Sequence, residues 1–409
     1  MASVSSLWQK KILAVLYGRG TVTRSEVVER TGLNVGSVSR TLKKLIANGV
    51  VRTVGKLKST GGRRSHALQI NPEAAYFLVF DLEGIRNQIG FVNLAGDVRY
   101  RWDDLCGSRP PTPLQVAGTA REVLKRLRQS ERQRTVAIGV SYTGLLDHTG
   151  GLSAANLGWT GVHLGKELQR SSHLPVYMEP ESITKALVEH SLGGARGVKN
   201  WIHVTADEGI GGGFYVDGHL LRGRDAMAGE IGHLTVATGP RCKCGRMGCL
   251  EAIAAPPAII RQYAESSGNS AAALSISTVI ARARAGDVNA RSALDLAAHY
   301  LGLALSHLVN LLNPSLIILG GSLAAAEDLL LPTLRKEMAC HTLPPLLQGV
   351  QITTTSLGED VALKGAASLA FRRSIEDPQI LTKICNPVFV LQTKPPSATR
   401  KEAVLATLG

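Results

Sequence analysis

A winged helix-turn-helix followed by a two-lobed α/β body is the fold that this 409-residue sequence predicts. Three observations carry the expectation. Residues 1–72 hold thirteen Lys and Arg against Glu26 and Glu29. Eleven of the fourteen net positive charges therefore lie in this short stretch, the footprint of a nucleic-acid module on a near-neutral body. Within it, apolar spacing, caps and glycine stops mark three successive helices. Beyond residue 72, strand-like and helix-like segments alternate in two successive cycles.

The first helix rests on Leu7, Trp8, Ile12, Val15 and Leu16 and stops at Gly18 and Gly20. Thr23 and Glu26 make a capping-box pattern that opens a short second helix, which Gly32 ends after Thr31. Asn34 caps a third, with Val38, Leu42, Leu45 and Ile46 on its apolar face and Gly49 at its close. In such a helix-turn-helix the first turns of the last helix enter the major groove. Val35, Gly36, Ser37, Ser39 and Arg40 are then expected at base edges and phosphates, and Lys43 and Lys44 at phosphates alone. Val50–Val54 and His66–Ile70 read as strands around a basic, Gly-rich tip, G-K-L-K-S-T-G-G-R-R-S. The tip is a wing offering Arg63 and Arg64 to a narrow minor groove, or else a flexible basic linker. Asn71 and Pro72 mark the domain boundary.

The first cycle of the body reads as strands Tyr76–Asp81, Gln88–Leu94 and Asp97–Trp102, a helix Pro113–Gln129 and a buried strand Val136–Val140. Helices Gly161–Ser171 and Ser182–Leu192 follow around a strand Val176–Met178. The second cycle starts with strands Trp201–Thr205 and Gly213–Val216 and helices Pro257–Glu265, Ile276–Ala285 and Asn289–Leu312. It closes with strand Leu316–Leu319, a helix to Met338, strand Val350–Thr354 and helix Val361–Phe371. Residues 73–372 are thus expected to form two similar lobes with a cleft between them. Periodicity then fades and Pro378, Pro387, Pro395 and Pro396 interrupt the chain, so residues 373–409 read as a weakly structured C-terminal extension.

The densest chemistry lies at G-E-I-G-H (229–233) and C-K-C-G-R-M-G-C-L-E (242–251). His233, Cys242, Cys244 and Cys249 offer one imidazole and three thiolates, the four tetrahedral positions of a structural zinc, with none left for water. Buried free cysteines beside an unrelated histidine are the alternative. A zinc loop over 233–249 would hold Glu230 and Glu251 on either side, where both can accept hydrogen bonds from a polyol.

The hydrophobic share of 44% and charged share of 19% fit a soluble globular protein, and no apolar run approaches the roughly 18 residues of a membrane span. Lys10 and Lys11 precede only the short apolar run Ile12–Tyr17, so no secretory signal is expected. With the thiols on metal and no paired framework, a reducing cytoplasm is the expected location.

Together these motifs resemble the ROK family of repressors, open reading frames and sugar kinases, built on the actin-like ATPase fold. The matching pieces also include N-L-G-W at 156–159, G-I-G-G-G at 209–213 and N-P-S-L-I-I-L-G-G-S at 313–322, and the resemblance runs from about Tyr76 to Phe371. The winged module, with G-G-R-R at 61–64, is similar to the regulator branch. The resemblance implies a sugar pocket between the lobes, with Asn156, Glu230, His233 and Glu251 on hydroxyls. It also puts His233 on zinc through its other ring nitrogen.

Family kinases carry an Asp-x-Gly-Gly-Thr phosphate loop, where this chain has Asp81-Leu82-Glu83-Gly84-Ile85-Arg86. Glu83 sets negative charge near phosphate, Ile85 has no hydroxyl, and Glu208 replaces a small or hydroxyl residue of the second loop. Their catalytic Asp lies in Glu-Asn-Asp, here Glu179-Pro180-Glu181, which leaves no catalytic residue and makes Glu181 an effector contact. The expectation is a sugar-responsive transcription factor with structural zinc, a repressor that binds a double-stranded operator as a homodimer or dimer of dimers and has no membrane partner. A zinc-containing, ATP-dependent sugar kinase with an attached DNA module is the alternative, and a sensor acting on another protein is a third.

Overall fold

The computed structural model describes residues 4–56, 66–83, 87–103, 110–224 and 227–387. They fall in two compact units, Met1–Leu192 with Glu359–Gly409, and Gly193–Gly358. The first unit begins with α1 (Val4–Leu16), α2 (Arg24–Thr31), α3 (Val35–Ala47) and the antiparallel pair β1 (Val51–Lys56) and β2 (His66–Ile70). The capping box forms: the Glu26 N–H donates to Thr23 Oγ1 at 3.2 Å and the Thr23 N–H to Glu26 Oε2 at 2.6 Å. Ile12, Leu13, Leu16, Val27, Val38 and Leu42 are buried with Leu68 and Ile70 of the hairpin. The tip of that hairpin, with Arg63 and Arg64, lies outside the described residues.

Next come β3 (Tyr76–Leu82), β4 (Asn87–Asn93), β5 (Val98–Asp103), α4 (Pro113–Arg126), α5 (Gln129–Gln133) and β6 (Thr135–Tyr142). They are followed by β7 (Leu145–Leu146), β8 (Leu152–Ala154), β9 (Trp159–Val162), α6 (Leu164–Ser172), β10 (Val176–Pro180) and α7 (Glu181–Ser191). The main sheet is ordered β10-β6-β3-β4-β5, parallel from β3 through β6 to β10 and antiparallel through β4 to β5. Every residue of β3 is buried, which is why Y-F-L-V-F-D-L reads as a near-continuous apolar run. Tyr76, Leu78 and Phe80 join Val116 and Ala120 of α4 and Leu164 of α6 on one face, while Phe77 and Val79 face the other. The strands β7, β8 and β9 make a small separate sheet, and α6 starts three residues later than Gly161 because β9 runs on to Val162.

The second unit comprises β11 (Trp201–Ala206), β12 (Ile210–Val216), β13 (His219–Leu220), α8 (Leu250–Ala254), α9 (Pro256–Ser267) and α10 (Ile276–Arg284). It continues with α11 (Val288–Leu312), β14 (Leu316–Gly320), α12 (Glu327–His341), α13 (Pro344–Gln348) and β15 (Gln351–Thr354). Its sheet order, β13-β12-β11-β14-β15, repeats the plan of the first: a central strand extended by two successive antiparallel pairings on one side and two parallel ones on the other. This repeat behind a winged helix-turn-helix is the fold class expected. Alanines carry much of the core here, with Ala290, Ala293, Ala297 and Ala304 of α11 buried alongside Ile202, Val204 and Ile317 of the sheet.

The chain then returns to the first unit. There α14 (Val361–Ser374) buries Leu363, Ala366 and Ala370 in the core that holds Phe77 and Val79. A further helix, α15 (Pro378–Cys385), corrects the reading of everything after residue 372 as weakly structured. Asp377 caps it, and Pro378 sits in the first turn, where a missing N–H is tolerated. Ile380, Leu381, Ile384 and Cys385 share one core with Ile12 and Leu16 of the winged module. Asn48 Nδ2 donates to the Cys385 carbonyl at 2.9 Å, and Lys10 pairs with Glu376 at 3.2 Å. Among the described residues, no helix is long and apolar enough to cross a membrane.

Candidate metal centre and nucleic-acid interface

Backbone contacts shape the Cys/His loop. The Cys242 N–H donates to Arg246 O at 2.8 Å and the Gly245 N–H to Cys242 O at 2.9 Å, closing a tight knuckle. Gly248 is required where it stands: its φ is +71°, and a Cβ there would lie 1.7 Å from the Ala237 carbonyl oxygen. The ligand atoms of His233, Cys242, Cys244 and Cys249 all lie within 4.8 Å of one another. Cys242 Sγ is 3.7 Å from His233 Nδ1, and Cys244 Sγ is 3.7 Å from Cys249 Sγ. Metal–sulfur bonds of about 2.3 Å in a tetrahedron give edges of about 3.8 Å, so the cluster has the size of a zinc site.

The thiols differ in their surroundings. The backbone N–H of Arg246, then its side chain, holds the Cys244 thiol down to about 6, whereas burial pushes Cys249 up to about 12. A metal bound here would have to ionise all three thiols, including the one that burial holds protonated. Nδ1 of His233 faces sulfur, and Nε2 lies 3.9 Å from Glu230 Oε2. Burial raises the Glu230 carboxyl, with His233 opposing and Glu251 adding to the rise. Glu251 Oε2 accepts the Ile210 N–H at 3.2 Å, which fixes that carboxylate at the G-I-G-G-G segment. In the same unit, Asp207 Oδ1 accepts the Ser322 N–H at 2.6 Å, just beyond Gly320 and Gly321. Glu208 beside it is half-buried.

In the first unit, Asn156 is half-buried on a 3-10 turn between β8 and β9. Glu181 is the first residue of α7 and is bound by Lys185, one helical turn on. Lys185 Nζ also reaches Glu83 Oε1 at 3.3 Å, with its side chain only 4% exposed. The reading of the sequence missed Lys185, although its i,i+4 spacing from Glu181 is the signal of a helical ion pair. Glu179 accepts a hydrogen bond from Arg373 of α14 at 3.2 Å.

The face of α3 is sorted by burial. Val35, Gly36, Arg40, Lys43 and Lys44 are exposed and Ser39 is half-buried. Ser37 is the exception to the expectation: it is buried, in line with Val38, Thr41, Leu42 and Leu45 on the inner face. Its N–H is held by Asn34 Oδ1 at 2.8 Å. Arg24, at the start of α2, is a further exposed cation that the motif reading left out.

A profile of the ROK family matches residues 105–373, and a profile described as winged helix-turn-helix DNA-binding matches residues 9–52. The xylose repressor of Bacillus spizizenii is 28% identical over 378 residues, covering 91% of this chain and 97% of its own length. A glucokinase of Halalkalibacterium halodurans is 30% identical over 311 residues, covering 72% of this chain and 94% of its own length. The crystal structure of a ROK family transcriptional regulator, a homologue of the E. coli MLC protein, superposes with a TM-score of 0.77 at 24% identity. That likeness spans 93% of this chain and 99% of the other, and shows a shared fold.

Proposed function

The chain belongs to the ROK family, and from that premise we propose that it is a sugar-responsive, DNA-binding transcriptional regulator acting as a repressor. One observation carries the reading: the match to a named repressor covers 91% of the chain, against 72% for a glucokinase. The difference has about the size of the winged module, which is itself matched as DNA-binding.

In this reading residues 1–72 bind the operator. Val35, Gly36, Ser39 and Arg40 read it, Lys43 and Lys44 hold phosphates, and Arg63 and Arg64 enter the minor groove. Residues 73–372 sense a sugar through Asn156, Glu181, Glu230, His233 and Glu251. Zinc on His233, Cys242, Cys244 and Cys249 is structural, and when bound it fixes the loop that carries Glu230 and Glu251. The chain works in the cytoplasm as a homodimer or dimer of dimers, whose two-fold symmetry would match a pseudo-palindromic site.

Chemistry at the former phosphate positions supports a regulator without turnover. Lys185 ties Glu181 to Glu83, so the carboxylate at the position of the kinase base is already engaged in an ion pair. The Ser322 N–H, an amide beside the Gly-Gly turn, is occupied by Asp207. The 30% identity to a glucokinase keeps ATP-dependent sugar phosphorylation as the second reading.

The test uses duplex DNA selected by the full-length protein from a random pool. Its Kd is measured with and without a panel of pentoses, hexoses, N-acetylhexosamines and their phosphates. At least one panel member is expected to change Kd about tenfold, within the usual range of allosteric coupling. Indifference to the whole panel, or steady ADP release from ATP and any sugar in it, overturns the reading.

A further inference from the structure

The winged module is docked on the body at a defined joint, and two helices lead from that joint to the turn at Glu179–Glu181. At the end of α1, the Tyr17 ring stacks on Phe371 of α14, with centroids 3.9 Å apart and planes 10° from parallel. The Tyr17 hydroxyl lies 3.2 Å from Ser368 Oγ, one turn earlier on α14. Both are buried. Next to Tyr17, Gly18 meets the other helix: a Cβ there would lie 2.2 Å from the Ser191 carbonyl oxygen and 2.5 Å from Leu192 Cδ2, at the end of α7. Gly18 has a φ of +73°, so only glycine combines this backbone with this approach.

Both helices also contact the same turn. The helix α7 starts at Glu181, about 16 Å from its far end at 1.5 Å per residue. On α14, Arg373 holds Glu179 at 3.2 Å, two residues beyond the ring that stacks on Tyr17. The helices are locked together as well: a Cβ on Gly365 of α14 would lie 2.7 Å from the Thr184 carbonyl oxygen of α7. The turn at 179–181 thus adjoins two mutually packed helices that, besides covering the sheet of the body, both contact one dipeptide of the DNA-binding module.

We propose that Tyr17 and Gly18 are positioning residues that convert the state of the Glu179–Glu181 turn into the placement of the winged module. The proposal rests on the reading of Glu181 as an effector contact for its input, and on the packing above for its transmission. A close-packed interior transmits small displacements because its side chains have discrete arrangements rather than slack.

The experiment is a double-mutant cycle on the full-length protein, Tyr17→Phe against Glu179→Gln, read as Kd for the selected duplex without sugar. Neither side chain belongs to the DNA-binding face, and they do not touch, so independent sites would give effects that multiply within about twofold. The expected result is a departure from that product of more than about twofold, together with a reduced effect of the sugar on Kd in Tyr17→Phe. Multiplication within about twofold overturns the proposal. If Tyr17→Phe does not fold, Ser368→Ala removes the same hydrogen bond from the other side and takes its place in the cycle. A wild type that ignores every sugar in the panel sinks the sugar reading alone, because the sugar-free cycle still decides the joint.

Discussion

Lys185 is nearly fully buried between Glu181 and Glu83, so removing its charge takes from two carboxylates the cation they share. Lys185→Met is expected to lower the unfolding free energy by about 3 kcal/mol in urea titrations; a loss under about 1 kcal/mol would mean that water already shares the site. His190, on the same helix, is held down to about 4 by burial, with Arg372 and Arg19 adding to the effect. The folded state thus binds its proton more weakly than the unfolded chain, and stability is lost as pH falls from about 6.5 toward 4. Across that window the melting temperature of wild type should drop with pH, and His190→Gln should flatten the drop. At this scale the sequence was partly legible. Residues that bring their own chemistry in a tight run, such as Cys242, Cys244 and Cys249, could be picked out directly. Ser37 could not, because one position of helical phase separates a groove-facing serine from a buried one.

Elements were legible where their signals were long or redundant. The winged module announced itself through caps and stops, and β3 through an apolar run with no alternation, the mark of a strand covered on both faces. The helix α15 was not, since it has only eight residues and its proline reads as an interruption unless Asp377 is seen as its cap. Ile384, in its last turn, is fully buried, and Ile384→Ala is expected to destabilise the first unit by about 2–4 kcal/mol. Hydrogen exchange should show the faster opening in α1 as well as in α15, because both contribute to one core. In the Cys/His loop, the purified protein should carry one zinc per chain by elemental analysis, and Cys244→Ser should lose most of it. Retention of full stoichiometry in Cys244→Ser would move the metal elsewhere.

For the molecule as a whole, eleven of fourteen net charges in residues 1–72 make DNA affinity a steep function of salt. Replacing Lys43 and Lys44 together by Ala should weaken selected and unselected duplexes alike and reduce the slope of log K against log salt by about 2. A slope that stays unchanged would place both lysines off the phosphates. Two matching sheets were foreseen from the alternation of strands and helices, but the sharing of one core between the two ends of the chain was not, since no local pattern records which distant segments meet. That sharing bears on how such regulators can be recombined. A chimera cut at Pro72 would leave Ile12 and Leu16 without Ile380 and Ile384. The transferable cassette is therefore split, residues 4–72 plus the strap at 376–386, and a DNA reader moved without its strap should arrive sticky and half-dressed in a foreign host.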